Sequence, residues 1–246
     1  MSGSLSNIEI WLQEISEYST EIVFIVDNST DKTFINLKDI VDCNNYKNIK
    51  IVNGNFGGPG NARNFGIAQT SGNWVAFWDS DDNPNVEAFL TMVNNAHKLG
   101  KKIAIGGWKK NISNQDKTPM RFRNMRKFNS PNFFKTVRNP GIWRWAFKKP
   151  IIDGIFFPNL LMGEDQVFLA NLNINWWKVY KNRKNVYNYI EGNSSQLTAN
   201  PAAIEERLEM GRYLVKTPVN GKHFSFFTRT LRLKIKLSIL INRLKS

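Results

Sequence analysis

The sequence of 246 residues contains a single cysteine, Cys43. One cysteine excludes an internal disulfide and a zinc site built from cysteine pairs, and it is typical of a reducing compartment. The sequence also lacks an apolar run approaching the ~20 residues that cross a bilayer, and its first residues lack the features of a secretory signal. We therefore expect a cytoplasmic protein.

Acidic residues are scarce. The chain has 20 Asp and Glu against 34 Lys and Arg, which gives a formal net charge of +14. Such an excess favours a partner that carries negative charge, such as phosphate groups, nucleic acid or an acidic membrane surface. A hydrophobic content of 41% and a charged content of 22% are ordinary for a folded globular protein.

Helical patterns and β-branched apolar runs alternate through residue 108. The predicted helices cover 7–18, a segment from about 59, and 86–99, and the predicted strands cover 21–27, 49–53, 74–78 and 103–108. This alternation predicts an α/β fold with an open, mostly parallel sheet flanked by helices. Further on, the patterns predict strands at 121–128 and 143–147, a helix at 163–174, one or two exposed strands within 176–189, and a helix from 201 to about 214.

The C-terminal segment is basic and amphipathic. Residues 222–246 contain no acid, and their apolar residues alternate over 231–239 in a way that fits a strand better than a helix. We expect a catalytic domain over 1–220 and a tail over 221–246. Two interpretations of the tail stay open: an interfacial segment attracted to anionic lipid at the inner face of the membrane, and a solvated C-terminal helix.

Candidate binding residues follow the predicted strands. Ligands of open α/β sheets bind outside the carboxyl ends of the strands, where this chain has Asp27, a glycine cluster with Arg63, and the acidic segment 79–82. Three carboxylates within that segment repel one another unless a cation compensates them, and Mg²⁺ uses one or two carboxylates together with substrate phosphates. The alternative is a solvated turn in which Asp82 caps the next helix.

The glycine-rich segment 55–64 allows close approach of a ligand to the backbone and presents helix N–H groups to an anion. Arg63 lies one turn into this helix, and a guanidinium there can pair with a phosphate or with a base edge. The alternative is a flexible turn with a surface arginine. A dinucleotide site is less favoured, because Arg63 occupies a position that is normally small in that motif.

Glu164 and Asp165 begin the helix predicted at 163–174. Carboxylates at a helix N-terminus either complement the helix dipole or serve as a general base for a hydroxyl proton, and both interpretations stay open. Paired tryptophans at 143 and 145, or at 176 and 177, are expected to pack in the core, with an acceptor-sugar pocket as the alternative.

Four segments, in this order, resemble the signatures of family-two glycosyltransferases. Residues 21–31 resemble the family's second strand, 55–66 its glycine-rich segment, 74–82 its Asp-x-Asp strand end, and 163–168 its Glu-Asp motif. The likeness covers roughly residues 7–190. It implies a GT-A fold with a nucleotide-binding half followed by an acceptor-binding half, and an inverting transfer from a nucleotide-sugar donor to a glycan or lipid-linked hydroxyl.

The resemblance also implies roles for individual residues on the donor side. Asp27 would contact the base, and Asn55 and Arg63 would help to hold the nucleotide. Asp79 would lie near the ribose and the metal, and Asp81 would coordinate Mn²⁺ or Mg²⁺ on the diphosphate.

On the acceptor side, the resemblance makes Asp165 the base that deprotonates the acceptor hydroxyl, while Glu164 supports acceptor placement. Two features depart from the family pattern. The chain begins at about the loop that follows the family's first strand, so that strand is expected to be missing. The segment after Asp27 is one residue shorter than usual.

The missing strand leaves a catalytically inactive sugar-nucleotide-binding relative as an alternative, and the net charge leaves a basic nucleic-acid-binding protein as a weaker one. No recognised nucleic-acid motif is present, so we do not expect a nucleic-acid partner.

Overall fold

The computed structural model describes residues 2–29, 31–112, 128–191, 205–219 and 223–243. Its α-helices are α1 (Ser2–Ser16), α2 (Thr33–Cys43), α3 (Pro59–Gln69), α4 (Val86–Lys98), α5 (Phe133–Arg138), α6 (Lys149–Ile152), α7 (Glu164–Asn171) and α8 (Phe226–Arg243). Its strands are β1 (Ile22–Asp27), β2 (Ile49–Gly54), β3 (Trp74–Ala76), β4 (Asn83–Pro84), β5 (Ile103–Ile112), β6 (Phe128–Asn129), β7 (Trp145–Lys148) and β8 (Tyr180–Glu191). Short 3₁₀ helices cover Ile142–Arg144, Trp176–Lys178 and Arg207–Tyr213.

The strands form a mixed arrangement. β1 and β2 pair in parallel, with Asp27 opposite Gly54 at their carboxyl ends. The larger sheet has the order β3-β7-β5-β8-β4, with β6 paired to β5. β5 and β8 run parallel, whereas β7 is antiparallel to both of its neighbours and β4 is antiparallel to β8. The predicted α/β fold with flanking helices is confirmed, but the sheet is mixed because β7 enters late in the chain and inserts between β3 and β5.

Helices cover both faces of the larger sheet. Neighbouring residues of a strand point to opposite faces, and in β5 Ala104 packs with α4 while Ile105 packs in the cluster that contains α7 and α8. A third cluster joins α1, α2 and the β1–β2 pair. The sheet is therefore a central layer, and its two faces hold different helices.

Strand β8 differs from its prediction. The mixture of aromatic and basic residues over 176–189 predicted exposed strands, yet β8 lies between β5 and β4, and Val186 and Tyr187 are fully buried. Its cations lie toward the strand's first half, where Arg183 and Lys184 are exposed. Of the other predicted elements, residues 121–127 and 201–204 lie outside the described residues.

The strand predicted at 231–239 is wrong, because this segment belongs to the helix α8. Phe227, Leu231, Ile235 and Ile239 recur every four residues and are buried in the main core cluster. Other apolar residues occupy the opposite side of the helix, so apolar residues on two faces imitate the alternation of a strand. α8 therefore packs as part of the domain rather than projecting from it as a tail. Within the described ranges, no helix has the length and apolar character needed to cross a membrane.

Candidate functional site

The carboxylate of Asp27 organises the glycine-rich loop. It lies at the end of β1 and accepts hydrogen bonds from the backbone N–H groups of Phe56 (2.7 Å), Gly57 (3.3 Å) and Gly58 (2.8 Å). Gly57 and Gly58 have positive φ angles of 74° and 130°, which residues other than glycine rarely adopt. The anion that the loop binds in this structure is thus Asp27 itself, next to the first turn of α3.

Helix α3 is fixed to the segment that leads toward α7. The Asn64 amide donates to the Phe157 carbonyl and accepts from the Phe157 N–H, both at 2.8 Å. A Cβ atom on Gly60 would lie 2.2 Å from the carbonyl oxygen of Pro158, so only glycine fits at that contact. Two residues of the glycine-rich segment therefore join the first half of the domain to the second.

Arg63 connects two acidic segments that are far apart in the chain. Its guanidinium donates to Asp79 Oδ1 at 2.9 Å and to Glu164 Oε1 at 2.5 Å. The same group lies 5.5 Å from the centre of the Phe157 ring. Burial disfavours the charged guanidinium, but the carboxylates of Asp79 and Glu164 outweigh this effect and raise the pKa of Arg63. The cation thus stays charged between them.

The turn over residues 79–82 is tied to strand β8. The Asp79 N–H donates to the Tyr187 hydroxyl oxygen at 3.1 Å, and Asp82 Oδ1 accepts from the Ile190 N–H at 2.8 Å. Asp82 is therefore not the helix cap that was considered from the sequence. Asn85 caps α4 instead, accepting from the Ala88 N–H at 3.0 Å. Asp82 reaches β8 because β4 begins at the next residue and pairs with that strand.

The acids of this turn are not equivalent. Asp82 is buried, and burial together with the charges of Asp79 and Asp81 raises its pKa to about 8. Asp79 and Asp81 are each partly exposed. Among the described residues, no group of three or more His, Cys, Asp or Glu side chains is placed to hold a metal ion. Two carboxylates on one turn still fit a hard divalent ion whose other ligands are diphosphate oxygens and water.

Glu164 and Asp165 form the first turn of α7, after Gly163 in the left-handed conformation with φ 90°. Glu164 is buried, and Asp165 is partly buried with its Oδ1 accepting from the Gln166 N–H at 2.7 Å. Helix α8 supports this turn from behind, because Lys234 Nζ donates to Gln166 Oε1. The turn is thus held by both Arg63 and the C-terminal helix.

Both carboxyl groups of this turn are harder to ionise than usual. Burial raises the pKa of Glu164, and the neighbouring Asp165 adds to the effect while Arg63 opposes it. Burial likewise raises the pKa of Asp165, and the charge of Asp79 contributes in the same direction. A carboxylate whose pKa is raised accepts a proton more readily, which is the property a general base needs.

The structure brings together three of the residues predicted from the sequence: Arg63, Asp79 and Glu164. Asp165 and Asp81 adjoin them in the chain, Asp27 lies behind the loop that begins α3, and Asn55 is exposed at the start of that loop. The tryptophans at 143, 145 and 176 are buried as expected from packing, whereas the one at 177 is exposed.

Sequence reasoning missed two residues that position the site. Asn64 is part of the Ala-Arg-Asn pattern, so its place in that motif was a usable signal. Tyr187 had none, because its contact with the Asp79 backbone depends on the strand order of the larger sheet.

The fold is that of the GT-A glycosyltransferases. A likeness to the S. aureus protein TarS (residues 1–349, in complex with UDP-GlcNAc) has a TM-score of 0.67 with 18% identity and covers 95% of this chain and 69% of that one. A likeness to the mannosyltransferase PcManGT from Pyrobaculum calidifontis, in complex with GDP-Man and Mn²⁺, has a TM-score of 0.63 with 14% identity and covers 96% and 68%.

The model of glycosyl transferase family 2 matches residues 7–155. The chain therefore belongs to glycosyl transferase family 2. It is also similar to the succinoglycan biosynthesis protein ExoO of Rhizobium meliloti (strain 1021), with 28% identity over 134 residues. That match covers 46% of this chain and 36% of ExoO, so the chain spans about a third of the length of this relative.

Proposed function

We propose that the protein transfers a sugar from a nucleotide-diphosphate donor to a hydroxyl group of a glycan or lipid-linked acceptor, with inversion at the anomeric carbon. Its family membership and the nucleotide sugars in the complexes of the similar structures support the donor class. The likeness to a succinoglycan biosynthesis protein supports a role in polysaccharide synthesis.

The observation that carries the proposal is the ion-pair bridge formed by Arg63. One guanidinium contacts Asp79, from the proposed donor side, and Glu164, beside the proposed base. Acids that are 85 positions apart in the sequence therefore meet at one place, as a reaction between a bound donor and a bound acceptor requires.

On the donor side, Asp81 and Asp79 would hold Mn²⁺ or Mg²⁺. A bound divalent ion would neutralise the charge that develops on the departing diphosphate. The loop held by Asp27 would approach the nucleotide, with Asn55 exposed at its beginning. In the absence of a donor, the positive charge of Arg63 would compensate the negative charges of Asp79 and Glu164.

On the acceptor side, Asp165 would act as the general base. Its carboxylate would take the proton of the acceptor hydroxyl while that oxygen bonds to the anomeric carbon. The bond from this carbon to the diphosphate oxygen would break on the opposite face, so the nucleoside diphosphate leaves with the bonding electrons. Glu164 would keep its place through Arg63 and support the position of the acceptor.

Replacement of the base tests the proposal. The variant Asp165→Asn keeps the size of the side chain but cannot accept the proton, and we expect sugar transfer to fall by about 10²–10⁴-fold while donor binding is retained. The matched control is Asp39→Asn, because Asp39 is an exposed acid on α2. The assay needs purified protein, a panel of nucleotide sugars with Mn²⁺ or Mg²⁺, and oligosaccharide or lipid-linked acceptors.

Donor binding without transfer by the unaltered chain would support the inactive-relative alternative instead. Equal turnover by Asp165→Asn and the unaltered chain would remove Asp165 from its proposed role. A cytoplasmic site of action at the inner membrane face stays a prediction of the sequence.

A further inference from the structure

Three exposed aromatic side chains lie on elements that meet at the N-terminal end of α8. Phe134 is 75% exposed, Trp177 is 78% exposed and Phe226 is 70% exposed, although they come from three separate elements. Phe133 stacks on Phe226 with ring centres 5.4 Å apart. The Phe133 ring also contacts the ring of Phe134 and that of Trp176, the residue before Trp177. We call Phe134, Trp177 and Phe226 the aromatic cluster.

An apolar stripe continues from this cluster along the outer side of α8. Leu233, Leu237 and Leu240 are 57%, 48% and 55% exposed, and we call them the leucine stripe. At 100° per residue, Phe226 and the leucine stripe lie within about 60° of one another on the helix. From Phe226 to Leu240 this apolar side of the helix extends about 21 Å at 1.5 Å per residue. Solvent normally faces polar residues on the outer side of such a helix, so this surface is unusual.

Positive charge surrounds the apolar surface. Arg229 and Lys236 are exposed beside the leucine stripe, and Lys135 and Lys178 are exposed next to the aromatic cluster in sequence. The three segments that build the surface, 128–148, 173–190 and 223–243, contain no Asp or Glu. Any partner must therefore accept apolar side chains and carry negative charge.

We infer that the aromatic cluster and the leucine stripe form a docking surface for an anionic lipid bilayer. A helix with an apolar face, flanking cations and exposed aromatic rings lies in the interface of a membrane, where tryptophan is also favoured. A second copy of the chain does not suit the surface, because it would bring the same cations together. This inference goes beyond the proposed function and does not depend on it.

The proposed lipid contact differs from one made by a basic C-terminal tail alone. Phe227, Leu231 and Ile235 bind the inner side of α8 to the core, so only the outer side is available to lipid. Phe134 and Trp177 come from outside the C-terminal segment, and they widen the contact to three elements. The lipid surface would therefore meet a rigid part of the domain.

Sedimentation of the full chain with lipid vesicles tests the inference. We expect binding to vesicles of phosphatidylcholine with about 30 mol% phosphatidylglycerol, weak binding to phosphatidylcholine alone, and weakening by salt. The stripe variant L233Q/L237Q/L240Q should lower the partition coefficient at least about tenfold. The charge variant R229Q/K236Q should lower it by about fivefold for each cation removed.

The matched control is I35Q/L99Q, since Ile35 and Leu99 are exposed apolar residues on α2 and at the end of α4. It should bind vesicles like the unaltered chain. Equal binding to neutral and anionic vesicles, an unaffected stripe variant, or an equal loss in the control would overturn the inference. So would a concentration-dependent dimer that the stripe variant abolishes. Transfer to a water-soluble acceptor should be unchanged in the stripe variant, which separates this result from a failure of the proposed function.

Discussion

The guanidinium of Arg63 lies 2.5 Å from the carboxylate of Glu164, although the two residues are separated by 101 positions in the chain. The second arm of the same guanidinium holds Asp79 at 2.9 Å. Since α3, the turn that follows β3 and the start of α7 each supply one of these residues, a single side chain links three parts of the site. Its removal leaves two carboxylates, one of them buried, without their cation.

The bridge predicts how transfer should depend on pH. Asp165 must be ionised to accept a proton, and its pKa is raised. Activity should therefore increase with pH, and the rising limb of the pH profile should lie above the ordinary pKa range of aspartate. Arg63 lowers the pKa of both Glu164 and Asp165. The variant Arg63→Gln should therefore shift the limb upward by about 1–3 pH units.

A profile of kcat against pH measures this shift. The control Arg63→Lys retains the charge, so its limb should move less than that of Arg63→Gln. An unchanged limb in the glutamine variant would contradict the electrostatic role.

The raised pKa values of Glu164 and Asp165 also predict how the stability of the fold depends on pH. The free energy of unfolding should fall as pH rises from the ordinary carboxyl range to the raised values, because the folded state binds more protons there.

The metal assignment predicts a specific loss in Asp81→Asn. The amide is a weaker ligand for a hard cation than the carboxylate, so added Mn²⁺ should no longer strengthen the binding of nucleoside diphosphates. Thermal unfolding with each nucleotide, with and without Mn²⁺, measures this dependence. Asp39→Asn serves again as the control, and metal-dependent stabilisation that persists in Asp81→Asn would remove Asp81 from the metal site.

The hydrogen bonds between Asn64 and Phe157 predict a loss of stability on substitution of a residue that takes no part in the reaction. Alanine at this position would leave the backbone N–H and carbonyl of Phe157 without their partners, at a cost of about 1–3 kcal/mol in the free energy of unfolding. Asn94→Ala is the control, because Asn94 is exposed in the middle of α4. Urea unfolding measures both variants, and an equal effect in the two would show that the Phe157 contact does not matter.

Helix α8 provides a matched pair of leucines. Leu231 is fully buried and Leu233 is exposed, so Leu231→Ala should cost about 2–5 kcal/mol and Leu233→Ala well under 1 kcal/mol. Chemical denaturation followed by circular dichroism compares them. Similar midpoints for the two variants would mean that α8 does not pack on the domain as the structure has it.

The sequence predicted most elements of the first half because each is a local pattern, but α2 and β4 were not among them. β1 and α4 differ from their predicted bounds by a single residue at one end. The same patterns grouped the acids at strand ends, which is why Asp79 and Arg63 were recognised early. Local patterns do not contain strand order, and so the place of β7 and the burial of β8 were not foreseen.

The contacts within the site were harder to predict for the same reason. The pairing of Arg63 with Glu164 requires α3 to lie against residues 157–158, a packing that depends on Gly60 and becomes visible only in three dimensions. Asp82 was considered a helix cap because its position before α4 fits that role locally. Its actual partner, the Ile190 backbone, is 108 positions away.

The back-to-back arrangement of α8 and α7 limits how the C-terminus can be dissected. A chain shortened to end before residue 226 would uncover the apolar side of α7 and remove Lys234 from Gln166, so it would lose folding and activity together. Failure of such a shortened protein to bind vesicles would therefore report damage to the core. Only substitutions on the outward side of the helix separate adhesion to lipid from the architecture that supports the reaction.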